Sequence, residues 1–147
     1  MTTGLMKRVL APVDLSSCSR ASLEFACKLA APFGAKVEVL FVRKLDGVTP
    51  ASSAEPANPA SELAAARQEL HQFVASVPAT AAASISERVE SGDPRERIVA
   101  IAAGDGFDAI VLGTHGRTGR AHALAGSVAE SVVRTASCPV ITLREQR

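Results

Sequence analysis

The stretch RVLAPVD, residues 8–14, begins the pattern that decides the fold. After Arg8, the residues up to Val13 form a short apolar run, which is typical of a strand buried on both faces of a parallel sheet. A serine cluster then marks a helix start, and apolar residues between Leu23 and Ala30 recur at helical spacing. Residues 36–42, KVEVLFV, follow as a second strand, so the chain opens with a β-α-β unit.

The same alternation of helix and strand patterns continues to the end of the chain. It predicts the order βαβαβαβαβ, which implies a single α/β domain with a parallel sheet and helices on both faces. The crossovers should be right-handed. The further predicted elements are a helix over 63–77, a half-exposed edge strand over 84–90, a helix capped by Asp93, a strand over 109–112, a helix near Gly126 and a strand over 140–143.

The length of 147 residues predicts one domain over residues 1–147, since domains cluster at roughly 100–150 residues. Residues 46–59, rich in proline, serine and alanine, predict a flexible loop, because the flanking pieces are too small to fold separately. The three cysteines Cys18, Cys27 and Cys138 include no CxxC pair, which excludes a disulfide framework and a zinc site. We expect them to be small buried hydrophobic residues.

Composition and charge exclude several classes of partner. Sixteen basic residues against fifteen acidic ones give a net charge of +1, without the basic bias of a nucleic-acid or membrane-surface binder. The chain has no Trp or Tyr to form a stacking platform for single strands. No apolar run reaches about 18 residues, and residues 1–5 lack a signal-peptide pattern. We therefore expect a soluble cytoplasmic protein with no nucleic-acid or membrane partner.

Two strand ends carry residues suited to binding a ligand. In open α/β sheets, ligands bind beyond the carboxyl ends of strands, where the winding direction reverses. One end is Pro12-Val13-Asp14, and the other is GTHGRTGR, residues 113–120, which leads to Gly126-Ser127.

The second of these loops has the properties of a phosphate site. Glycines let main-chain amides approach an anion, and a helix start at 126–128 offers free N–H groups and a favourable dipole. Arg117 and Arg120 add positive charge. A common alternative stays open, namely an ordinary mobile loop followed by a serine cap. The spacing fits neither GxGxxG nor the P-loop, and the first strand lacks the SGGxDS pattern of ATP pyrophosphatases.

The glycine spacing nevertheless resembles a known signature. Gly113-x2-Gly116-x9-Gly126-Ser127 is similar to the G-2x-G-9x-G-[S/T] pattern of the ATP-binding branch of the universal stress proteins. The segments VLAPVD, DAIVLGTHGRTG and SCPVI resemble that family in order and spacing as well. The resemblance extends over residues 7–143, with the loop 46–59 as the part that has no counterpart.

The resemblance implies a doubly wound sheet of five parallel strands in the order 3-2-1-4-5, with ATP held between strands one and four. It also implies Mg²⁺ bound through the phosphates, and a homodimer formed through the last strand, Val140 to Leu143. The residues it implies for nucleotide binding are Pro12, Val13, Asp14, Val42, Gly113, Thr114, His115, Gly116, Arg117, Gly126, Ser127 and Val128.

Simpler roles compete at several of these positions. Asp14 could instead cap the first helix, Gly113 could serve only a tight strand exit, and Ser127 could be a helix cap. His115 has no acidic partner or nucleophile at triad spacing, and the same holds for His122. His71 lies on the second predicted helix beside Leu70, so we predict no catalytic and no metal-binding residue.

Three functions are compatible with the sequence. The favoured one is a dimeric, ATP-binding regulatory protein of the stress response. A slow ATP hydrolase or nucleotide-transfer enzyme is the second, although no positioned general base is visible. A nucleotide-independent interaction protein is the third, and the glycine signature argues against it.

Overall fold

The computed structural model describes residues 4–44, 59–114 and 127–144. Their element order confirms the predicted alternation of strands and helices. Two short 3-10 segments, Ala31–Phe33 and Pro78–Ala82, were not predicted from the sequence. The strands and α-helices are β1 (Arg8–Val13), α1 (Ser17–Ala30), β2 (Lys36–Arg43), α2 (Pro59–Ala75), β3 (Ser84–Ser91), α3 (Pro94–Gly104), β4 (Ala109–Gly113), α4 (Ser127–Thr135) and β5 (Val140–Leu143).

The five strands form one parallel sheet in the order β3-β2-β1-β4-β5. This confirms the doubly wound arrangement that the family resemblance implies. β1 lies at its centre, where Val9 pairs with Val37 of β2 on one side and with Ala109 of β4 on the other. The continuous apolar run of β1 follows from this position, because a central strand is covered on both faces.

The core consists of two layers, one on each face of the sheet. Successive strand residues point to opposite faces, and so Val9 packs with α1 and α2 while Leu10 packs with α3 and α4. Leu23 and Leu70 are almost fully buried on the first face. Val132 of α4 is fully buried on the second. α1 and α2 therefore cover one face of the sheet, and α3 and α4 cover the other.

β3 is the half-exposed edge strand that the weak alternation predicts. Arg88 extends from it to form ion pairs with Glu90 at 2.9 Å and with Asp105 at 2.6 Å. Charged side chains of this kind discourage pairing of an exposed edge with another chain.

The helix ends agree with most of the sequence signals. Asp93 caps α3 by accepting a hydrogen bond from the Arg95 amide at 2.9 Å. Gly34 adopts a left-handed φ of 63° after the 3-10 turn that extends α1. The predicted loop 46–59 is one residue too long, because Pro59 begins α2, a position where its fixed φ suits a helix. Residues 46–58 lie outside the described residues.

The cysteines behave as small apolar residues. Cys18 and Cys27 are buried, Cys138 is partly exposed, and all three are free thiols. Burial, together with the nearby Glu24 charge, raises the pKa of the Cys27 thiol. Among the described residues, no helix is long and apolar enough to span a bilayer.

Candidate functional site at the carboxyl edge of the sheet

The carboxyl ends of β1 and β4 lie side by side at the point where the winding reverses. β1 continues into α1 on the first face, whereas the helix that follows β4, α4, packs on the second face. Adjacent parallel strands whose connections diverge in this way open a crevice between their carboxyl ends. Pro12-Val13-Asp14 and Gly113-Thr114 therefore share one edge, with Val42 near the end of the neighbouring β2.

Asp14 is held in a defined orientation by its neighbours. Its carboxylate Oδ1 accepts hydrogen bonds from the Ser16 amide at 3.0 Å and from the Ser19 hydroxyl at 2.6 Å. The Asp14 amide in turn donates to the same Ser19 hydroxyl at 2.9 Å. Ser19 is 6% exposed and thus fixes both the main chain and the side chain of Asp14.

The interpretation of Asp14 as the cap of α1 is wrong. α1 begins at Ser17, so the N-cap position falls on Ser16, whose side chain accepts from the Ser19 amide. Asp14 lies two residues before the cap and stabilises the turn that leads into the helix.

Leu15 forms that turn with an unusual main-chain conformation. Its φ of 68° is left-handed, which is uncommon for a residue other than glycine. The leucine side chain packs against the first core layer. No sequence pattern identifies such a position, because leucine is not a residue that favours this conformation.

Gly113, the last residue of β4, lies directly against the first turn of α1. A Cβ atom at this position would come closer than 3.0 Å to the Cys18 sulfur and to 3.3 Å from the Cys18 carbonyl oxygen. The close approach of α1 to β4 therefore requires glycine here for packing alone. Contact of Gly113 with a nucleotide stays a prediction.

Thr114 is buried, with 5% of its surface exposed. Its hydroxyl donates to the Leu143 carbonyl at the end of β5, 3.2 Å away, and its amide donates to the same oxygen at 2.9 Å. The side chain of this predicted binding residue is thus engaged with β5.

The other predicted residues in the described part have their side chains largely within the fold. Pro12 and Val13 are buried, as is Val42, so a ligand at this edge would meet mainly their main-chain groups. Arg43 follows Val42 and donates to the Glu62 carbonyl at 3.0 Å, which ties the end of β2 to the first turns of α2.

The glycine loop is only partly within the described residues. His115, Gly116, Arg117, Arg120, His122 and Gly126 lie outside them. The loop ends at Ser127, the first residue of α4, and Val128 packs in part against the second core layer.

His71 lies on α2, beside the edge strand β3. Its Nδ1 is 3.0 Å from a Glu87 carboxylate oxygen, and its side chain is mostly exposed. Within residues 4–44, 59–114 and 127–144, no group of three or more His, Cys, Asp or Glu side chains is arranged to hold a metal ion.

Comparison with known proteins agrees with this architecture. The sequence matches the Universal stress protein family over residues 6–144. Universal stress protein MJ0531 of Methanocaldococcus jannaschii is 30% identical over 144 residues, which cover 97% of this chain and 85% of that protein. The structure of universal stress protein UspA from Lactobacillus plantarum is 27% identical, with a TM-score of 0.74 and coverage of 95% of this chain and 98% of that one.

A further similar structure is that of the universal stress protein from Archaeoglobus fulgidus in complex with dAMP. It is 27% identical, with a TM-score of 0.64 and coverage of 93% of this chain and 96% of that one. The family match extends over nearly the whole sequence and includes all five strands of the sheet. The chain therefore belongs to the Universal stress protein family.

Proposed function

We propose that this chain is an ATP-binding universal stress protein that acts as a regulatory module. The observation that carries the proposal is the complete spacing Gly113-x2-Gly116-x9-Gly126-Ser127, which starts at the carboxyl end of β4 beside the end of β1. This is the edge at which ligands of doubly wound sheets bind.

The described residues fit a nucleotide at this edge. Asp14 presents an oriented carboxylate that can accept hydrogen bonds from a ribose, and Val42 offers main-chain groups for a base. The start of α4 at Ser127 would provide amides that have no partner within the helix, and the positive end of a helix dipole, for a phosphate tail. Gly116, Arg117 and Gly126 would complete the phosphate contacts.

The site could stabilise the negative charge of the phosphates although the chain is almost neutral. Main-chain amides and one helix end would supply positive potential at the site itself. Mg²⁺ would be bound through the phosphates, since it keeps several waters and needs few protein ligands. The dAMP complex of the Archaeoglobus fulgidus relative supports an adenine nucleotide as the ligand class.

Calorimetric titration of the purified protein with ATP and Mg²⁺ tests the proposal directly. Saturable binding is expected, and Gly126→Val should abolish it by placing a side chain in the phosphate space. Gly104→Ala is the matched control, because a Cβ atom at Gly104 meets nothing within 4 Å. No binding of ATP up to millimolar concentration would overturn the proposal.

The same preparation distinguishes binding from turnover. We expect mass spectrometry to find intact ATP after long incubation with the protein. Release of ADP at a rate that depends on the protein would favour the hydrolase alternative instead.

We also propose that the protein forms a homodimer through β5, which is an outer strand of the sheet. Pro139 and Leu143 direct their carbonyls to β4, so the alternation of main-chain groups points the Thr142 amide away from it. Thr142→Pro therefore removes an outward donor without touching the β4–β5 ladder. Sedimentation analysis should show a monomer for Thr142→Pro and a dimer for the Thr142→Val control; a dimer in both overturns this interface.

A further inference from the structure

The end of β5 meets the start of the glycine loop in a small cluster, which we call the Leu143 junction. It consists of Cys18 in the first turn of α1, Gly113 and Thr114 at the end of β4, and Leu143 at the end of β5. No part of the sequence pattern brings these residues together.

One carbonyl oxygen is the centre of the junction. The Leu143 oxygen accepts from the Thr114 amide at 2.9 Å and from the Thr114 hydroxyl at 3.2 Å. It also accepts from the Cys18 thiol, with 3.8 Å between sulfur and oxygen. Donors from two different elements thus converge on the last residue of β5.

Packing prevents the end of β4 from moving independently of this carbonyl. The Cys18 side chain fills the space that Gly113 leaves open, so α1 supports the main chain from the first face. Thr114 and Cys18 are 5% and 2% exposed, which leaves little room for either side chain to change rotamer. A shift of the end of β5 is therefore transmitted to Gly113 and Thr114.

We propose that Thr114 is a positioning residue that couples the end of β5 to the nucleotide site. The inference rests on the proposed function, and it assigns the Thr114 hydroxyl to the main chain of β5 rather than to the ligand. Its consequence is a linkage, in which nucleotide binding orders the end of β5 and a more ordered β5 strengthens nucleotide binding. The order of β5 would thereby regulate the affinity of the site for nucleotide.

The first test needs no ligand. Thr114→Val replaces the hydroxyl by a methyl group of similar size, and the Leu143 oxygen keeps its hydrogen bond from the amide at position 114. Exchange of that amide, followed by NMR, should become about two- to tenfold faster, as expected for the loss of one hydrogen bond. Thr114→Ser keeps the hydroxyl and should remain close to the wild-type rate. An unchanged rate in Thr114→Val overturns the positioning role.

The second test adds ATP and Mg²⁺ to the same three proteins. In the wild type and in Thr114→Ser, ATP should slow amide exchange in residues 140–143. In Thr114→Val, ATP affinity should fall about two- to tenfold, and the slowing in β5 should be lost. A merely structural role would lower the melting temperature without uncoupling β5 from the ligand.

Two other outcomes distinguish this proposal from direct contact of Thr114 with the ligand and from a failure of the proposed function. If ATP binds the wild type but leaves exchange in β5 unchanged, the coupling is overturned, and an affinity loss in Thr114→Val would then indicate direct contact with the ligand. If the wild type binds no ATP, the proposed function fails together with the coupling to nucleotide, while the exchange rates without ligand still decide whether Thr114 holds β4 to β5.

Discussion

The packing of Gly113 against Cys18 gives the sharpest test of the structure. Gly113→Ala would place a Cβ atom within 3.0 Å of the Cys18 sulfur, a separation that real Cβ atoms do not adopt. Because Cys18 is 2% exposed and lies in the first turn of α1, its sulfur has little room to rotate away, and the contact should strain the packing of α1 against β4. Overpacking of this kind costs about 1–3 kcal/mol. For a domain of this size, that corresponds to a fall in Tm of roughly 2–12 °C.

A second substitution identifies the cause of that loss. Cys18→Ala removes the sulfur, after which the tightest contact of the new Cβ is the Cys18 carbonyl oxygen at 3.3 Å. In this background Gly113→Ala should therefore cost much less than in the wild type. The double-mutant cycle should show a favourable coupling of about 1–3 kcal/mol, since the two residues are in direct contact.

Urea denaturation of the four proteins, followed by far-UV circular dichroism, measures this cycle. Equal costs of Gly113→Ala with and without the sulfur would refute the packing argument. ATP titration of the same proteins separates the two roles of Gly113. If stability is restored in the double variant but ATP affinity is not, then glycine is needed for the approach of the ligand as well as for packing.

Two further predictions concern the hydrogen-bonded carboxylates of Asp14 and Asp108. Ser19→Ala removes the two hydrogen bonds between Ser19 and Asp14 and leaves the bond from the Ser16 amide, so ATP affinity measured by calorimetry should fall about tenfold and recover in Ser19→Thr. Equal affinities would exclude a role of Ser19 in orienting Asp14 for the ligand. Hydrogen bonds from the main-chain amides of Lys7, the larger cause, and Arg8 hold the pKa of Asp108 below its ordinary value of 3.8. This stabilisation is fully present above pH 3.8 and is lost as the pH falls through the lowered pKa. In Asp108→Asn, the free energy of unfolding should therefore fall less steeply at acid pH than in the wild type. An equally steep fall would contradict this prediction.

The sequence predicts the layers of the fold because burial leaves a local pattern. The run from Val9 to Val13 identifies a central strand, since each residue faces one of two covered faces. The weak alternation of residues 84–91 identifies β3 as an edge strand for the opposite reason. The alternation by itself does not fix the strand order, which depends on how the crossovers pack; that order came from the family resemblance.

The details of the site were harder to predict, because they depend on contacts between distant parts of the chain. Four polar residues lie around the start of α1, two before it and two within its first turn, and which of them caps the helix depends on where it begins. The left-handed turn at Leu15 sets that point and gives the cap to Ser16. The partnership of Gly113 with Cys18 likewise joins α1 to β4 in space, and no local motif contains both residues.

The packing of Gly113 also changes how the glycine signature supports nucleotide binding. In this chain the first glycine of the signature is required by the close approach of α1, whether or not a ligand is bound. Its presence therefore adds little to the case for ATP. Support for ATP binding comes instead from the spacing of Gly116 and Gly126 and from the start of α4 at Ser127. A substitution at Gly113 disturbs the core first, so by itself it does not test nucleotide binding.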